Sequence, residues 1–267
     1  MKSKYSGVFK VSLKQEFAYR LNFVMWRVRN IVQILLIYYL WDSVFSSPTR
    51  ELFGYSRAKI ITYIFGVYVL RAIVTSSRAQ DTAGEIAQGG LTNYLLKPVS
   101  YFKYWFIRDL SSKALNLGFV GIEFSILFML LKPVVFVPES VIFVLLFTVS
   151  LVLAVLLYFF LLMVFSSFTF WAPEQAWGFV FLLSIFTDLF GGFVFPLDIF
   201  PINIQTLLYA TPFPYLVFVP LQIFLGKLSF SLAIRSVSIS FVWVLVCMLI
   251  LKKEWKLGLR AYRGEGL

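Results

Sequence analysis

Histidine is missing from this chain altogether, and Cys247 is its one cysteine. The first absence removes every Ser–His dyad and the imidazole base that most proton-transfer chemistry relies on. The second rules out a disulfide within the chain, and the two together exclude zinc centres of the usual Cys/His kind. Acidic residues are also scarce, 13 Asp and Glu against 24 Lys and Arg, for a formal charge of +11. Such a balance can mark a nucleic-acid binder. Here the basic residues gather at the two ends and in one central segment, as charge flanking a membrane does, so no nucleic-acid partner is expected. A phosphate-cradling G-x-x-x-x-G-K-[ST] loop is absent too. The nearest string, LGKLS at 225–229, has Leu228 where a hydroxyl residue should follow Lys227, and it lacks the upstream glycine. Asp188 and Asp198 lack the glycine contexts of intramembrane aspartyl proteases. The chain is therefore expected to be no enzyme, with no catalytic residue, metal site or cofactor of its own.

What fills the chain instead is apolar: 60% of its 267 residues are hydrophobic, 19% are aromatic, and the mean hydropathy is +0.85. Soluble domains lie nearer half apolar and do not string such residues into long runs. Crossing about 30 Å of hydrocarbon takes about 20 helical residues. Six segments are long enough, 23–45, 59–77, 107–131, 141–165, 176–193 and 231–251. The fold class that follows is an all-α integral membrane protein with six transmembrane helices, forming one membrane domain over 1–267. The apolar stretch 202–225 is broken by Pro212, Pro214 and Pro220, and reads as a re-entrant or interfacial hairpin rather than a seventh span. Cys247 lies in an apolar run and reads as a small buried hydrophobe.

The first seventeen residues, MKSKYSGVFKVSLKQEF, are basic but lead into no compact apolar core with a small-residue cleavage site, so a removed signal peptide is not expected. Phe9, Leu13 and Phe17 fall four residues apart while Lys10 and Lys14 face elsewhere. That spacing predicts an amphipathic helix, within 1–22, suited to the headgroup layer and its membrane lipids. Most basic residues lie in three places: the N-terminal arm (Lys2 to Arg29), the segment holding Arg78, Lys97, Lys103, Arg108 and Lys113, and the tail from Lys252 to Arg263. The opposite side holds Arg50, Arg57, Lys59, Lys132 and Lys227. An even number of spans puts both termini on one side, and the excess of positive charge makes that side cytoplasmic. The segment 78–106 and the tail 252–267 are then cytoplasmic as well.

Ionisable groups inside a membrane are functional candidates because burying them is costly. Arg71, Glu123, Asp188 and Arg235 are the four that stand out. The arginines either pair with carboxylates on neighbouring spans or snorkel from helix ends. Glu123 either lines a cavity or bonds neighbouring hydroxyls. In GGFVFPLDIFP (191–201), Gly191 and Gly192 end the fifth span, and Pro196 and Pro201 punctuate the loop that follows. TPFPYLVFVP (211–220) repeats the theme with Pro212 and Pro214. Backbone at membrane depth survives only if covered by protein or facing water. Two short, broken helices dipping in from the outer face within 194–230 meet that condition, and can act as an outer gate. Between the fourth and fifth spans, FTFWAPEQAWG offers Trp171 and Trp177 to the interface and Pro173–Glu174 to a helix start.

Taken in order, FAYRLNF before the first span, EIAQGGLTNYLLKPVSY at 85–101, FW-A-PE, GGFVFPLDIFP, TPFPY, P-LQIFLG and KEWKLGLRAYRGEG touch most of the chain. The arrangement resembles the permease subunits of the type-2 ABC exporter class, especially the small bacterial permeases with six spans that work beside a separate ATPase. The resemblance implies an N-terminal connecting helix, a cytoplasmic coupling helix over about 81–96, and re-entrant outer helices within 196–225. It also implies a bacterial inner-membrane location and a pathway formed by two permeases, a second copy or a homologue. An ATP-binding subunit docks beneath each, holding the ATP and Mg. In the coupling segment, Glu85 then pairs with a basic residue of the ATPase. Gly89 and Gly90 allow a sharp turn or close approach, Leu91, Leu95 and Leu96 enter a groove on the partner, and Lys97 with Pro98 ends the helix. The competing reading is a secondary transporter or channel driven by an ion gradient, which would depend on Glu123 or Asp188. A membrane enzyme and a non-transporting scaffold are further alternatives.

Overall fold

The computed structural model describes residues 2–18, 20–45, 51–95 and 98–262. All regular structure there is helical apart from one isolated bridge between Leu52 and Tyr55. The eleven α-helices among the described residues are α1 (Lys2–Ala18), α2 (Arg20–Val44), α3 (Arg57–Leu70), α4 (Asp81–Ala87), α5 (Thr92–Leu95), α6 (Tyr101–Leu131), α7 (Val141–Ser167), α8 (Ala176–Phe190), α9 (Ile202–Tyr209), α10 (Phe218–Phe224) and α11 (Phe230–Ala261). Helix is the economical answer for such apolar runs, because it satisfies every backbone N–H and C=O without water.

Among the described residues, four helices are long and apolar enough to cross a membrane: Arg57–Thr75, Tyr101–Leu131, Val141–Phe170 and Phe230–Ala261. They correspond to the expected spans at 59–77, 107–131, 141–165 and 231–251. The other two expected spans fall on α2 and α8. Helix α2 has 25 residues but carries Arg27, Arg29 and Asp42, and α8 has only 15. α8 stops at Phe190 rather than at 193, because Gly191 and Gly192 turn the chain and Gly192 sits at φ +82°.

The helices are fixed in register by contacts at both ends. Ser56 and Ser229 cap α3 and α11, each hydroxyl accepting from the backbone N–H three residues on. α6 ends on Lys132 in the left-handed conformation, with Pro133 next. The starts of α3, α7 and α11 and the end of α6 lie together at one end of the bundle, where Lys59 sits 5.3 Å from the Phe136 ring and Lys227 3.4 Å from the Tyr55 ring. The end of α3, the start of α6 and the ends of α7 and α11 form the other. Hydrocarbon tails give helices no hydrophobic reason to associate, so close packing of small residues matters more. The most extensive helix pair, α7 with α11, buries Ser150 and Ala154 from one side and Ala233, Ser240 and Cys247 from the other. Cys247 is thus a buried small side chain, as its apolar context predicts. α10 is sunk in the core with Phe218, Val219 and Ile223 fully buried, packed on α7 and α3. A side chain at Gly66 would run into Leu221, so glycine there lets α3 and α10 approach.

Helix α1 packs along α6, with Ser12 buried and the Ser111 hydroxyl donating to the Phe9 carbonyl. Lys10 and Lys14 are exposed, as the periodicity predicts, whereas Phe9 and Leu13 are half-buried. The chain's own α6 thus covers part of a face expected to meet lipid.

Candidate functional site

The segment 81–95 is two short helices rather than one. α4 closes in a Schellman turn, where the Gly90 N–H donates to the Glu85 carbonyl (2.9 Å) and the Gly89 N–H to that of Ile86 (3.2 Å). Gly89 carries the φ of +75° that this turn requires, so the glycine pair breaks the expected continuous helix. α5 follows after a single turn. Leu96 and Lys97 lie outside the described residues, as does the side chain of Leu95.

The segment is bolted to the bundle from within. Glu85 Oε2 accepts from Tyr101 Oη at 2.9 Å and from Trp105 Nε1 at 3.1 Å, both on α6. Around it runs a chain of rings. Tyr94 packs on Tyr101 (5.2 Å) and Tyr104 (5.0 Å), and Trp255 of α11 meets Tyr101 (4.9 Å) and Phe102 (4.7 Å). Phe170, just past α7, completes it at 5.2 Å from Trp255. Each such pair contributes about 0.5–1.5 kcal/mol beyond its burial. A Cβ at Gly258 would collide with the Phe170 ring, so glycine is what lets α11 lie against it. Burial, the hydrogen bond with Tyr104 and the nearby Glu85 charge push the Tyr94 phenol well above its ordinary range, so it stays neutral.

Two placements differ from expectation. Leu91 is 0% exposed, packed in the chain's own core, so it holds the segment down instead of reaching outward. Glu85 is engaged by α6 and does not stand free for a partner. The residues this segment turns outward are Gln88, Thr92 and Asn93.

A buried stripe on α6 continues from this end toward the middle of the bundle. Asp109, Lys113, Asn116 and Glu123, spaced by four, three and seven, are all buried. Lys113 Nζ lies 3.3 Å from Asp109 and donates to the carbonyls of Val74 (3.0 Å) and Ser76 (2.8 Å). It thereby satisfies the end of α3, which finishes in a π-helical turn, Arg71–Thr75. Asn116 Nδ2 donates to Ser76 Oγ at 2.7 Å. Deeper in, Arg27 of α2 grips Glu123 with two bonds, Nε at 2.6 Å and Nη2 at 2.5 Å, and Tyr68 Oη donates to the same carboxylate. Arg27, counted from the sequence among the cytoplasmic arm charges, is therefore a buried partner of Glu123. Lys113, counted likewise, is a buried helix clamp.

Arg71 pairs with Asp188 of α8 at 2.9 Å and lies 4.6 Å from the Phe193 ring centroid. Arg235 is exposed, five residues into α11, and makes no ion pair with the described residues. At the opposite end, Asp198 Oδ2 gathers Tyr55 Oη (2.8 Å), Gln222 Nε2 (3.0 Å) and Lys227 Nζ (2.6 Å). Burial pushes the Lys227 ammonium below the ordinary lysine range, while the bond to Asp198 works against it. Gly191 and Gly192 dock here too: the Phe218 N–H donates to the Gly191 carbonyl (3.1 Å) and Tyr63 Oη to that of Gly192 (2.5 Å). Pro196 and Pro201 cap the 3-10 turn Leu197–Ile199 and α9, and Pro212 and Pro214 shape the turn Phe213–Tyr215. Sequence reasoning missed the Asp198 knot and the Asp109–Lys113 clamp. Only the clamp had a legible signal, its helical spacing on α6.

The sequence profile of the ABC-2 family transporter proteins matches residues 31–266. The chain belongs to that family. No curated protein matches it. As an ABC-2 transporter protein it is the membrane component of an ABC transporter, multi-pass, in a class whose membrane components are generally non-catalytic. Membership implies a complex with ATPase partners, and it agrees with the resemblance read from the ordered motifs.

Proposed function

We propose that this ABC-2 protein is the permease subunit of a bacterial inner-membrane exporter, working as a dimer with a second copy or a homologue over two ATP-binding subunits. In this reading α2 and α8 complete six spans, and both termini and the segment 81–95 face the cytoplasm. ATP and Mg sit in the partner. The observation that carries the proposal is the anchoring of α4 and α5. A short, glycine-broken element presents Gln88, Thr92 and Asn93 outward while Glu85 and Tyr94 tie it to α6, α4 packs on α7 and α8, and Trp255 links α6 in turn to α11. A push on such an element reaches three helices at once. The broken helices α9 and α10 form the outer gate, with α10 and the Asp198 knot as its fixed hinge side and α9, whose Ile202 and Leu207 are exposed, as its free side. An ion-gradient mechanism is less well supported, because Arg27 already neutralises Glu123 and Arg71 pairs with Asp188.

A mild-detergent pull-down of the tagged chain from its host tests the reading. Wild type is expected to bring down a P-loop ATPase, and a Gln88→Arg/Asn93→Arg variant to lose it. Recovery of the chain alone from both, with folding intact, would refute the proposal.

A further inference from the structure

Between α2, α3 and the loop after α8 runs a shallow groove, open along one side, with a cavity of about 40 Å³. Among the described residues, its charged lining is Arg27 and Arg71. The carboxylates that pair with them, Glu123 and Asp188, are not in the lining, so the groove meets guanidinium faces with the negative charge set behind. Arg27 commits each of its three nitrogens, to Glu123 and Asn116. Arg71 does not. Only its Nη2 makes a hydrogen bond among the described residues, to Asp188, which leaves Nε and Nη1 with donors to offer.

The groove is also graded along its length. Both arginines lie at one end, Arg71 one turn beyond the Tyr68 that meets Glu123. From there the α2 lining passes Asn30 and Gln33 and becomes apolar at Ile34, Ile37 and Trp41. Arg27 to Trp41 is 14 residues of helix, about 21 Å, or some two thirds of a hydrocarbon layer of about 30 Å. Arg71 begins the π-helical turn, a local irregularity of a kind frequent at functional sites.

The geometry points to a binding site for an acidic membrane lipid, its phosphate held by Arg71 and its chains laid against the Ile34–Trp41 side of the groove. A guanidinium offers a phosphate paired, charge-assisted donors, and an unspent one at membrane depth is costly unless something uses it. With α4 and α5 on the cytoplasmic side, the guanidinium end of the groove is the nearer to that side, and the apolar wall runs away from it toward the end where Asp42 pairs with Arg57. That this lipid is cargo rests on the permease reading. That it binds does not.

The test uses the purified full chain in phosphatidylcholine nanodiscs with increasing phosphatidylglycerol carrying brominated chains, read by tryptophan quenching. Wild type is expected to show a saturable component, absent with brominated phosphatidylcholine and reduced by Trp41→Phe. Arg71→Gln is expected to weaken it at least tenfold. Asp188→Asn, which removes the negative charge that competes for Arg71, is expected to hold it or tighten it. Ile37→Trp, which crowds the apolar wall and leaves both arginines intact, is expected to weaken it. If Arg71→Gln and Asp188→Asn weaken quenching alike, Arg71 is only a strut for α8 and the proposal fails. It fails equally if quenching is unchanged by Arg71→Gln, or is lost instead in Lys10→Gln/Lys14→Gln, as surface adsorption would be. A failure here with the ATPase still co-purifying would overturn the lipid site and leave the permease reading standing, and the reverse outcome would do the opposite.

Discussion

Arg27 and Glu123 meet in a pair whose side chains are 6% and 11% exposed, while Arg71 and Asp188 meet in one at 25% and 45%. The first is the more buried and the more fully bonded: Asn116 accepts from Arg27, and Tyr68 donates to Glu123. It ties α2, α3 and α6 together near the middle of the bundle. The second bridges α3 and α8 beside a groove and leaves part of its guanidinium uncommitted. The difference teaches that an intramembrane arginine is no single kind of object. A fully coordinated one is structural, and an incompletely coordinated one beside open space has something left to bind.

Breaking the sealed pair should have the largest effect. Arg27→Ala strands a buried carboxylate, and a loss of about 3–5 kcal/mol is expected, read as a fall in thermal midpoint in detergent. Arg27→Met combined with Glu123→Leu should cost far less than either single change, because both charges leave together. Smaller is the effect expected where helices touch without charge: Gly258→Ala forces the Phe170 ring aside at about 1–3 kcal/mol, visible by the same measurement. Tyr101→Phe removes one of two donors to Glu85 and should cost about 1.5 kcal/mol, with faster proteolysis of 81–95 as its local signature. Smallest in stability is the open pair, where Asp188→Asn is expected to cost about 1 kcal/mol or less. Should Asp188→Asn destabilise as severely as Arg27→Ala, the contrast between the two pairs would collapse.

The sequence disclosed those features whose cause is local. Gly89 marks a turn because only glycine takes its φ without strain, and the prolines of 196–220 mark broken helices for an equally local reason. The four long spans follow from runs of apolar residues. Partnerships across the chain had no such signal. Arg27 sits close to the N-terminus in sequence and so looked like headgroup charge, yet its partner is 96 residues away. Leu91 looked like an outward anchor because nothing nearby in sequence covers it, and only the fold puts it in the core. The α6 stripe lay between these cases. Asp109, Lys113, Asn116 and Glu123 share one helical face by spacing alone, but which elements would close over that face was not written in α6.

The central claim is that α4 and α5 are where an ATPase docks, and cysteine cross-linking tests it most directly. Cys247 is buried, so Asn93→Cys adds an accessible thiol to a chain that otherwise offers none. In native membranes, a thiol-to-amine cross-linker on Asn93→Cys is predicted to join the chain to a P-loop ATPase, while Ile202→Cys on exposed α9 gives no such adduct. An ATPase adduct from Ile202→Cys and none from Asn93→Cys would contradict the account.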